Sequence, residues 1–114
     1  MRDEFLIGVV GVCGSGKSSL VNGLAERGYT ARHIAQEHSY VPDMWQRLTN
    51  PAILIYLQVS YVNTLKRKNF HWTEKEYQEQ IYRIRHAIDH ADIIIDTDQY
   101  SPDEILQIVL DQLR

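Results

Sequence analysis

Three largely apolar runs along the chain lack the alternation of apolar and polar residues that marks a half-exposed strand. They cover residues 5–11, 52–59 and 91–96. Continuous apolar runs of this length are typical of strands buried on both faces of a sheet. A fourth segment, residues 29–35, alternates weakly, and we predict a strand there as well. The pattern therefore predicts four strands, with the weakly alternating one second in chain order.

Two helix starts carry the capping-box pattern, in which a hydroxyl residue is followed three residues later by glutamate. The first is Thr73 with Glu76, and the second is Ser101 with Glu104, where Pro102 also suits the first helical position. Apolar residues at helical spacing follow both starts. The stripes are Tyr77, Ile81, Ile84 and Ile88 in the first helix, and Leu106, Val109, Leu110 and Leu113 in the second.

Three further helices complete the predicted order of elements. One covers about residues 16–27 and ends at Gly28, since glycine readily adopts the left-handed backbone that closes a helix. Short helices are predicted after Pro42 and after Ser60, with an irregular polar segment at residues 36–40. Buried strands that alternate with helices predict an α/β protein with a parallel sheet and helices on both faces. The length of 114 residues fits one domain, 1–114.

The segment directly after the first strand, residues 11–18, reads Gly-Val-Cys-Gly-Ser-Gly-Lys-Ser and matches the phosphate-binding pattern G-x-x-x-x-G-K-[ST]. Its glycines allow backbone N–H groups to turn inward around an anion, and the helix that follows adds the positive end of its dipole. Lys17 is expected to reach the β- and γ-phosphates, and the Ser18 hydroxyl to bind Mg²⁺. The expected nucleotide-binding residues of this loop are Gly11, Cys13, Gly14, Ser15, Gly16, Lys17, Ser18 and Ser19.

The alternative for this segment is a glycine turn with an incidental lysine, although three glycines with Lys-Ser in register rarely arise by chance. ATP with Mg²⁺ is therefore the expected cofactor. The chain has no Asn-Lys-x-Asp sequence of the kind that a guanine-specific GTPase needs, which favours adenine.

Composition narrows the expected partners and location. The net charge of −3 argues against a general nucleic-acid-binding protein. No apolar run approaches the roughly 20 residues of a membrane span, and the charged residues 1–4 do not resemble a secretory signal. The single cysteine fits a reducing compartment. We expect a cytoplasmic protein without a nucleic-acid or membrane partner.

With these stretches identified, the chain resembles the small P-loop kinases, the group that includes shikimate kinase, gluconate kinase and the nucleoside and nucleotide kinases. Besides the loop with its strand and helix, residues 55–60 with 66–67 and residues 91–98 with 101–104 carry the resemblance. The resemblance implies a three-layer P-loop NTPase-type fold and Mg²⁺-dependent phosphoryl transfer from ATP to a small-molecule acceptor. It also implies that residues 97–102, with Thr97, Asp98 and Pro102, flank the adenine.

The chain departs from that group in its strand count and acceptor motif. Those kinases usually have five parallel strands; if the strand beside the first one is missing here, the sheet order should be second–first–third–fourth. The Asp-x-Asp that grips acceptor hydroxyls in shikimate kinase is absent, and Gln36-Glu37-His38 stands near its position. The alternative function is therefore a nucleotide-binding module without its own acceptor, which binds or slowly hydrolyses ATP. A third hypothesis is a homodimer that completes the site by covering the short sheet edges.

Basic residues near the predicted lid are candidates for stabilising the charge of a transferred phosphoryl group. Lys66, Arg67 and Lys68 begin the lid, and Arg83 and Arg85 lie on the helix that closes it. Arg67 and Arg83 are the favoured members of this cluster. The alternative is a solvated helix end, where positive charge suits the helix dipole.

Glu37 follows the second strand and is a candidate for positioning Mg²⁺ or for acting as a base toward an acceptor hydroxyl. The alternative is an exposed loop carboxylate, and Asp43 is a weaker candidate for the same role. Cys13 is interpreted as a tolerated small residue and not as a nucleophile. The histidines show no spacing typical of a zinc site with cysteine or acidic partners. They are His33, His38, His71, His86 and His90.

Overall fold

Four strands form one sheet in the computed structural model, which describes residues 5–68 and 71–113. The strands are β1 (Leu6–Val10), β2 (Thr30–His33), β3 (Ile53–Gln58) and β4 (Ile93–Asp96). They are hydrogen-bonded in the order β2-β1-β3-β4, and every pairing is parallel. In the centre, Ile7 of β1 lies opposite Ala31 on one side and Ile53 on the other. The predicted strand order and direction are confirmed. The N-terminal residues 1–4, interpreted above as unlike a signal, lie outside the described residues.

Within the described residues, five α-helices and two 3₁₀ turns connect and follow the strands. The helices are α1 (Lys17–Glu26), α2 (Met44–Leu48), α3 (Tyr61–Lys68), α4 (Glu74–His90) and α5 (Pro102–Gln112), and the 3₁₀ turns are Gln36–His38 and Thr97–Gln99. Both predicted capping boxes are present: in each, the hydroxyl accepts from the glutamate N–H and the glutamate carboxylate accepts from the N–H of the cap. Gly28, with φ of 88°, follows the end of α1 as predicted. None of the described helices is long and apolar enough to cross a membrane.

Helices flank the sheet on both faces, because successive side chains of a strand point to opposite sides. On one face, the β1 and β3 side chains pack against α1 and α5; the buried members are Ile7, Val9, Ile55 and Leu57 with Leu20, Leu24, Ile105 and Val109. On the other face, alternate side chains of the same strands pack against α2 and α4; the buried members include Val10, Leu54 and Tyr56 with Trp45, Ile84 and Ala87. Both predicted apolar stripes therefore face the sheet.

The segment after β2 differs from its predicted irregular form, because it begins with the 3₁₀ turn Gln36–His38. The Gln36 side chain holds this turn in place. Its Nε2 donates to Val41 O at 2.9 Å and Arg83 O at 3.1 Å, and its Oε1 accepts from Trp45 N at 2.8 Å. One buried amide thus ties the turn to α2 and α4. This anchoring places the two residues after Gln36 at the carboxyl edge of the sheet.

Candidate functional site

A cavity of about 650 Å³ opens at the carboxyl ends of the strands. Parallel α/β sheets bind their ligands at this edge. Residues 13–20 form one side, and the other sides are formed by His33, Glu37 and His38 and by Arg67, Tyr100, Pro102 and Ile105. We call residues 11–18 the glycine-rich loop. The structure therefore brings most of the predicted loop residues, Glu37 and Arg67 around one space.

The glycine-rich loop turns sharply between β1 and α1. Gly14 and Gly16 have φ angles of 85° and 97°, in the left-handed region that residues with a Cβ rarely adopt. Gly16 immediately precedes α1 and has no side chain to cap the helix. The first N–H groups of α1 are therefore available to an external acceptor, which is the property that makes helix N-termini bind anions. Ser18 and Ser19 are exposed on this first turn and both line the cavity.

Lys17 is folded back against the glycine-rich loop. Its side chain is 6% exposed, and Nζ donates to Gly11 O at 2.6 Å and to Val12 O at 3.1 Å. A third bond of 3.0 Å joins Nζ to Glu37 Oε2. We predicted a lysine that points at a ligand; in the structure its ammonium group is already neutralised by a buried carboxylate. The side chain nevertheless lines the cavity.

Glu37 is 2% exposed, so the alternative of an exposed loop carboxylate is wrong. Besides its bond to Lys17, Oε2 lies 3.7 Å from His38 Nε2 and 3.9 Å from His33 Nε2. Oε1 is buried and has no hydrogen-bond partner among the described residues. Burial and then the charge of Lys17 lower the pKa of the His33 imidazole, against the raising effect of Glu37. Glu37 is also the only carboxylate among the described residues that line the cavity.

The two candidate arginines have different surroundings. Arg67 lines the cavity, and its guanidinium donates to Thr97 Oγ1 at 3.0 Å and Thr97 O at 2.8 Å. The same group lies 3.4 Å from Gly14 O. Arg83 donates to Glu37 O and to the Tyr40 hydroxyl, each at 3.3 Å, and does not line this cavity. The Lys68 side chain and residues 69–70, where the predicted lid continues, lie outside the described residues.

Residues 97–102, predicted to flank an adenine, divide into two groups. Thr97 is fully buried and donates to Gln58 O at 2.8 Å. Asp98 accepts from Asn63 Nδ2 at 2.8 Å and from Ser60 N at 3.2 Å. Although burial opposes it, the hydrogen bonds from Asn63 and Ser60 hold the pKa of Asp98 below its usual value. Neither side chain lines the cavity, whereas Tyr100 and Pro102 do.

Sequence reasoning overlooked Gln80, which contacts the glycine-rich loop from α4. Its Oε1 accepts from Cys13 N at 3.0 Å, and its Nε2 lies 3.4 Å from Cys13 Sγ. Gln80 is buried although it is polar. The available signal was a polar residue directly beside the apolar stripe of α4. Gln80 does not line the cavity. Ile105 of α5 does line it, was also not predicted, and gave no such signal.

Two buried hydroxyls beside the cavity allow a stability prediction. Ser15 Oγ has no partner among the described residues, whereas Thr97 Oγ1 is bonded to Gln58 O and Arg67. An unpaired buried hydroxyl costs free energy, so Ser15→Ala should raise the free energy of unfolding by about 1 kcal/mol. Thr97→Val keeps the size of the side chain and removes a hydrogen-bonded hydroxyl. It should lower the free energy of unfolding by about 1–3 kcal/mol. Urea unfolding of both variants measures the contrast, and equal losses would contradict the assignment of Ser15.

Comparison with known proteins does not extend these observations. No protein-family model matches the chain, and no curated protein matches it significantly. The resemblance to the small P-loop kinases therefore stays a prediction based on the stretches quoted above.

Proposed function

We propose that the protein has a P-loop NTPase-type fold and binds ATP with Mg²⁺ at the glycine-rich loop, transferring the γ-phosphoryl group to a small-molecule acceptor. The observation that supports this most is the position of the loop. The phosphate-binding pattern lies between the central strand β1 and the uncapped start of α1, and it borders a cavity at the carboxyl edge of the sheet. Such a position supplies the uncapped N–H groups of the first turn of α1 and the positive end of a helix dipole.

In this proposal Lys17 changes partners when a triphosphate binds. Its ammonium group leaves Glu37 Oε2, now 3.0 Å away, for the β- and γ-phosphate oxygens. Ser18, exposed on the first turn of α1, holds Mg²⁺, which supplies neutralisation of the phosphate charge. Tyr100 and Pro102, from the segment assigned above to the adenine, offer it an aromatic and an apolar surface.

The partner exchange also gives Glu37 a role. Once Lys17 is bonded to phosphate, Oε2 of the buried carboxylate keeps only the nearby imidazoles of His33 and His38, and Oε1 has no partner among the described residues. Glu37 then accepts the proton of an acceptor hydroxyl as a general base. Arg67, whose guanidinium lies at the loop carbonyls, stabilises the charge on the transferred group.

A specific observation favours the alternative of a nucleotide-binding module without an acceptor. The sheet has four strands among the described residues, and the position of the missing acceptor motif is occupied by the 3₁₀ turn of Glu37. Both functions begin with ATP binding, so that step is tested first.

ATP affinity should fall about 10- to 150-fold when Lys17 is removed, since a charge-assisted contact contributes roughly 1.5–3 kcal/mol. The comparison is Lys17→Ala/Glu37→Gln against Glu37→Gln, because Lys17→Ala alone leaves a buried carboxylate without its cation. Isothermal titration calorimetry with ATP and Mg²⁺ gives both affinities, and a parallel titration with GTP tests the preference for adenine. Equal ATP affinity in the two variants, or no binding by the unmodified protein, would refute the proposed site.

A further inference from the structure

Three side chains of the kinds that bind transition metals meet at the mouth of the glycine-rich loop. Cys13 Sγ lies 3.8 Å from His38 Nε2, and His38 Nε2 lies 3.7 Å from Glu37 Oε2. One ligand atom from each of the three residues lies within 4.8 Å of the others. Cys13 follows β1, and the other two follow β2, so the parallel pairing of these strands brings the three together.

The distances are close to those of a tetrahedral zinc centre. Zinc binds thiolate sulfur at about 2.3 Å and imidazole nitrogen or carboxylate oxygen at about 2.0–2.2 Å. At tetrahedral angles, these lengths separate sulfur from nitrogen by about 3.6 Å and nitrogen from oxygen by about 3.4 Å. The observed Cys13 Sγ to His38 Nε2 distance of 3.8 Å exceeds its value by a few tenths of an ångström. So does the 3.7 Å from His38 Nε2 to Glu37 Oε2, the oxygen that Lys17 also contacts. Small side-chain rotations close that difference, because Cys13 and His38 are both partly or fully exposed.

An independent observation at the same place indicates an unfilled ligand position. Glu37 is only 2% exposed, and its Oε1 has no hydrogen-bond partner among the described residues. A buried carboxylate oxygen without a donor is unfavourable unless a proton or a cation neutralises it. Lys17 occupies only Oε2, which leaves the other oxygen of Glu37 without a ligand.

We propose that Cys13, Glu37 and His38 bind one zinc-class ion, with the fourth position open to the cavity. Thiolate and imidazole ligands favour Zn²⁺ and Co²⁺ over Mg²⁺ and Ca²⁺, which prefer oxygen. The ligand types therefore separate this ion from the Mg²⁺ proposed at Ser18. The ammonium group of Lys17, 3.0 Å from Glu37 Oε2, opposes the ion and lowers its affinity relative to a site without that charge. Metal binding here needs no nucleotide and does not rest on the proposed function.

The test is a Co²⁺ titration of the full chain under reducing conditions without nucleotide. Co²⁺ bound to a thiolate should produce a sulfur-to-metal charge-transfer band in the near ultraviolet, and Zn²⁺ should displace it. Cys13→Ser should abolish the band. His38→Ala and Glu37→Gln should each weaken Co²⁺ binding at least about tenfold, since even the loss of an outer partner of a metal ligand costs 10–100-fold.

A matched histidine control is available on α4. His86 and His90 are stacked, with ring centroids 4.3 Å apart. They are a second pair of imidazoles to which Co²⁺ could bind instead of the proposed site. His90→Ala should leave both the band and the affinity unchanged. Absence of the band in the unmodified protein, its persistence in Cys13→Ser, or loss of binding in His90→Ala would each overturn the proposal. An unchanged affinity in Glu37→Gln or His38→Ala would overturn the assignment of that residue as a ligand. Circular dichroism of each variant checks that it is folded.

Discussion

Replacement of Arg67 by alanine should lower acceptor-dependent phosphoryl transfer about 10³-fold, as expected for an arginine that stabilises the charge of the transferred group. The guanidinium borders the cavity and lies 3.4 Å from Gly14 O, at the loop that is proposed to hold the phosphates. ATP affinity should change much less, because the contact strengthens in the transition state and contributes little to the ground-state complex.

The measurement is ATP turnover with Mg²⁺ in the presence of a panel of small hydroxyl compounds, alongside a reaction without acceptor. A kinase suppresses transfer to water, so turnover without acceptor should be slow and the correct acceptor should raise it by orders of magnitude. If the protein is a binding module, no acceptor stimulates turnover, and Arg67→Ala alters nucleotide affinity instead. Arg67→Lys is the matched variant, since it keeps the charge and removes the planar fork of donors.

Arg83→Ala tests whether Arg83 contacts the transferred phosphoryl group or acts only through its neighbours. We predicted from the sequence that either arginine could act on the phosphoryl group. Arg83 donates to Glu37 O and Tyr40 and does not line the cavity, so its removal should lower turnover less than that of Arg67.

Glu37→Gln keeps the size and polarity of the side chain and removes its charge, so a base or metal-positioning role predicts a large loss of rate. If Glu37→Gln and both arginine variants retain full acceptor-dependent transfer, these assignments are wrong.

Lys17→Ala should lower the free energy of unfolding by about 3–5 kcal/mol, the usual cost of removing one partner of a buried ion pair. The side chains of Lys17 and Glu37 are 6% and 3% exposed, so the remaining carboxylate would be buried without its cation. Lys17→Ala/Glu37→Gln should recover most of the loss, because the double variant leaves no unpaired charge. Glu37→Gln alone should cost less than Lys17→Ala, since Nζ keeps its bonds to Gly11 O and Val12 O.

Urea unfolding at pH 7 of the four proteins gives the coupling energy between Lys17 and Glu37 as a double-mutant cycle. Additive losses would contradict a functioning ion pair. A lysine that only reaches toward phosphates, as the sequence predicts, would leave the fold intact when replaced by alanine. The structure predicts a large loss of stability instead. Domains have a total free energy of unfolding of about 5–15 kcal/mol, so the variant would keep only part of its stability.

Local chemistry made much of the fold predictable. The capping boxes at Thr73 and Ser101 depend on residues three positions apart, so their patterns predicted the starts of α4 and α5. The strand order followed from the resemblance to five-stranded kinases with one strand removed. The segment after β2 was not predictable, because its 3₁₀ turn is held by bonds from Gln36 to α2 and to Arg83, 47 residues away.

By itself, the sequence determined the strands and α-helices of this protein and the presence of a glycine-rich loop between a buried strand and a helix. These features arise from backbone preferences and apolar periodicity among residues that are close in the chain. They therefore do not depend on how the elements pack together. Only the tertiary structure decided that Lys17 pairs with a buried Glu37, that Arg67 and not Arg83 borders the cavity, and that Cys13 meets His38. Each of these depends on side chains from different strands or helices, and their distances follow from the order and packing of the sheet.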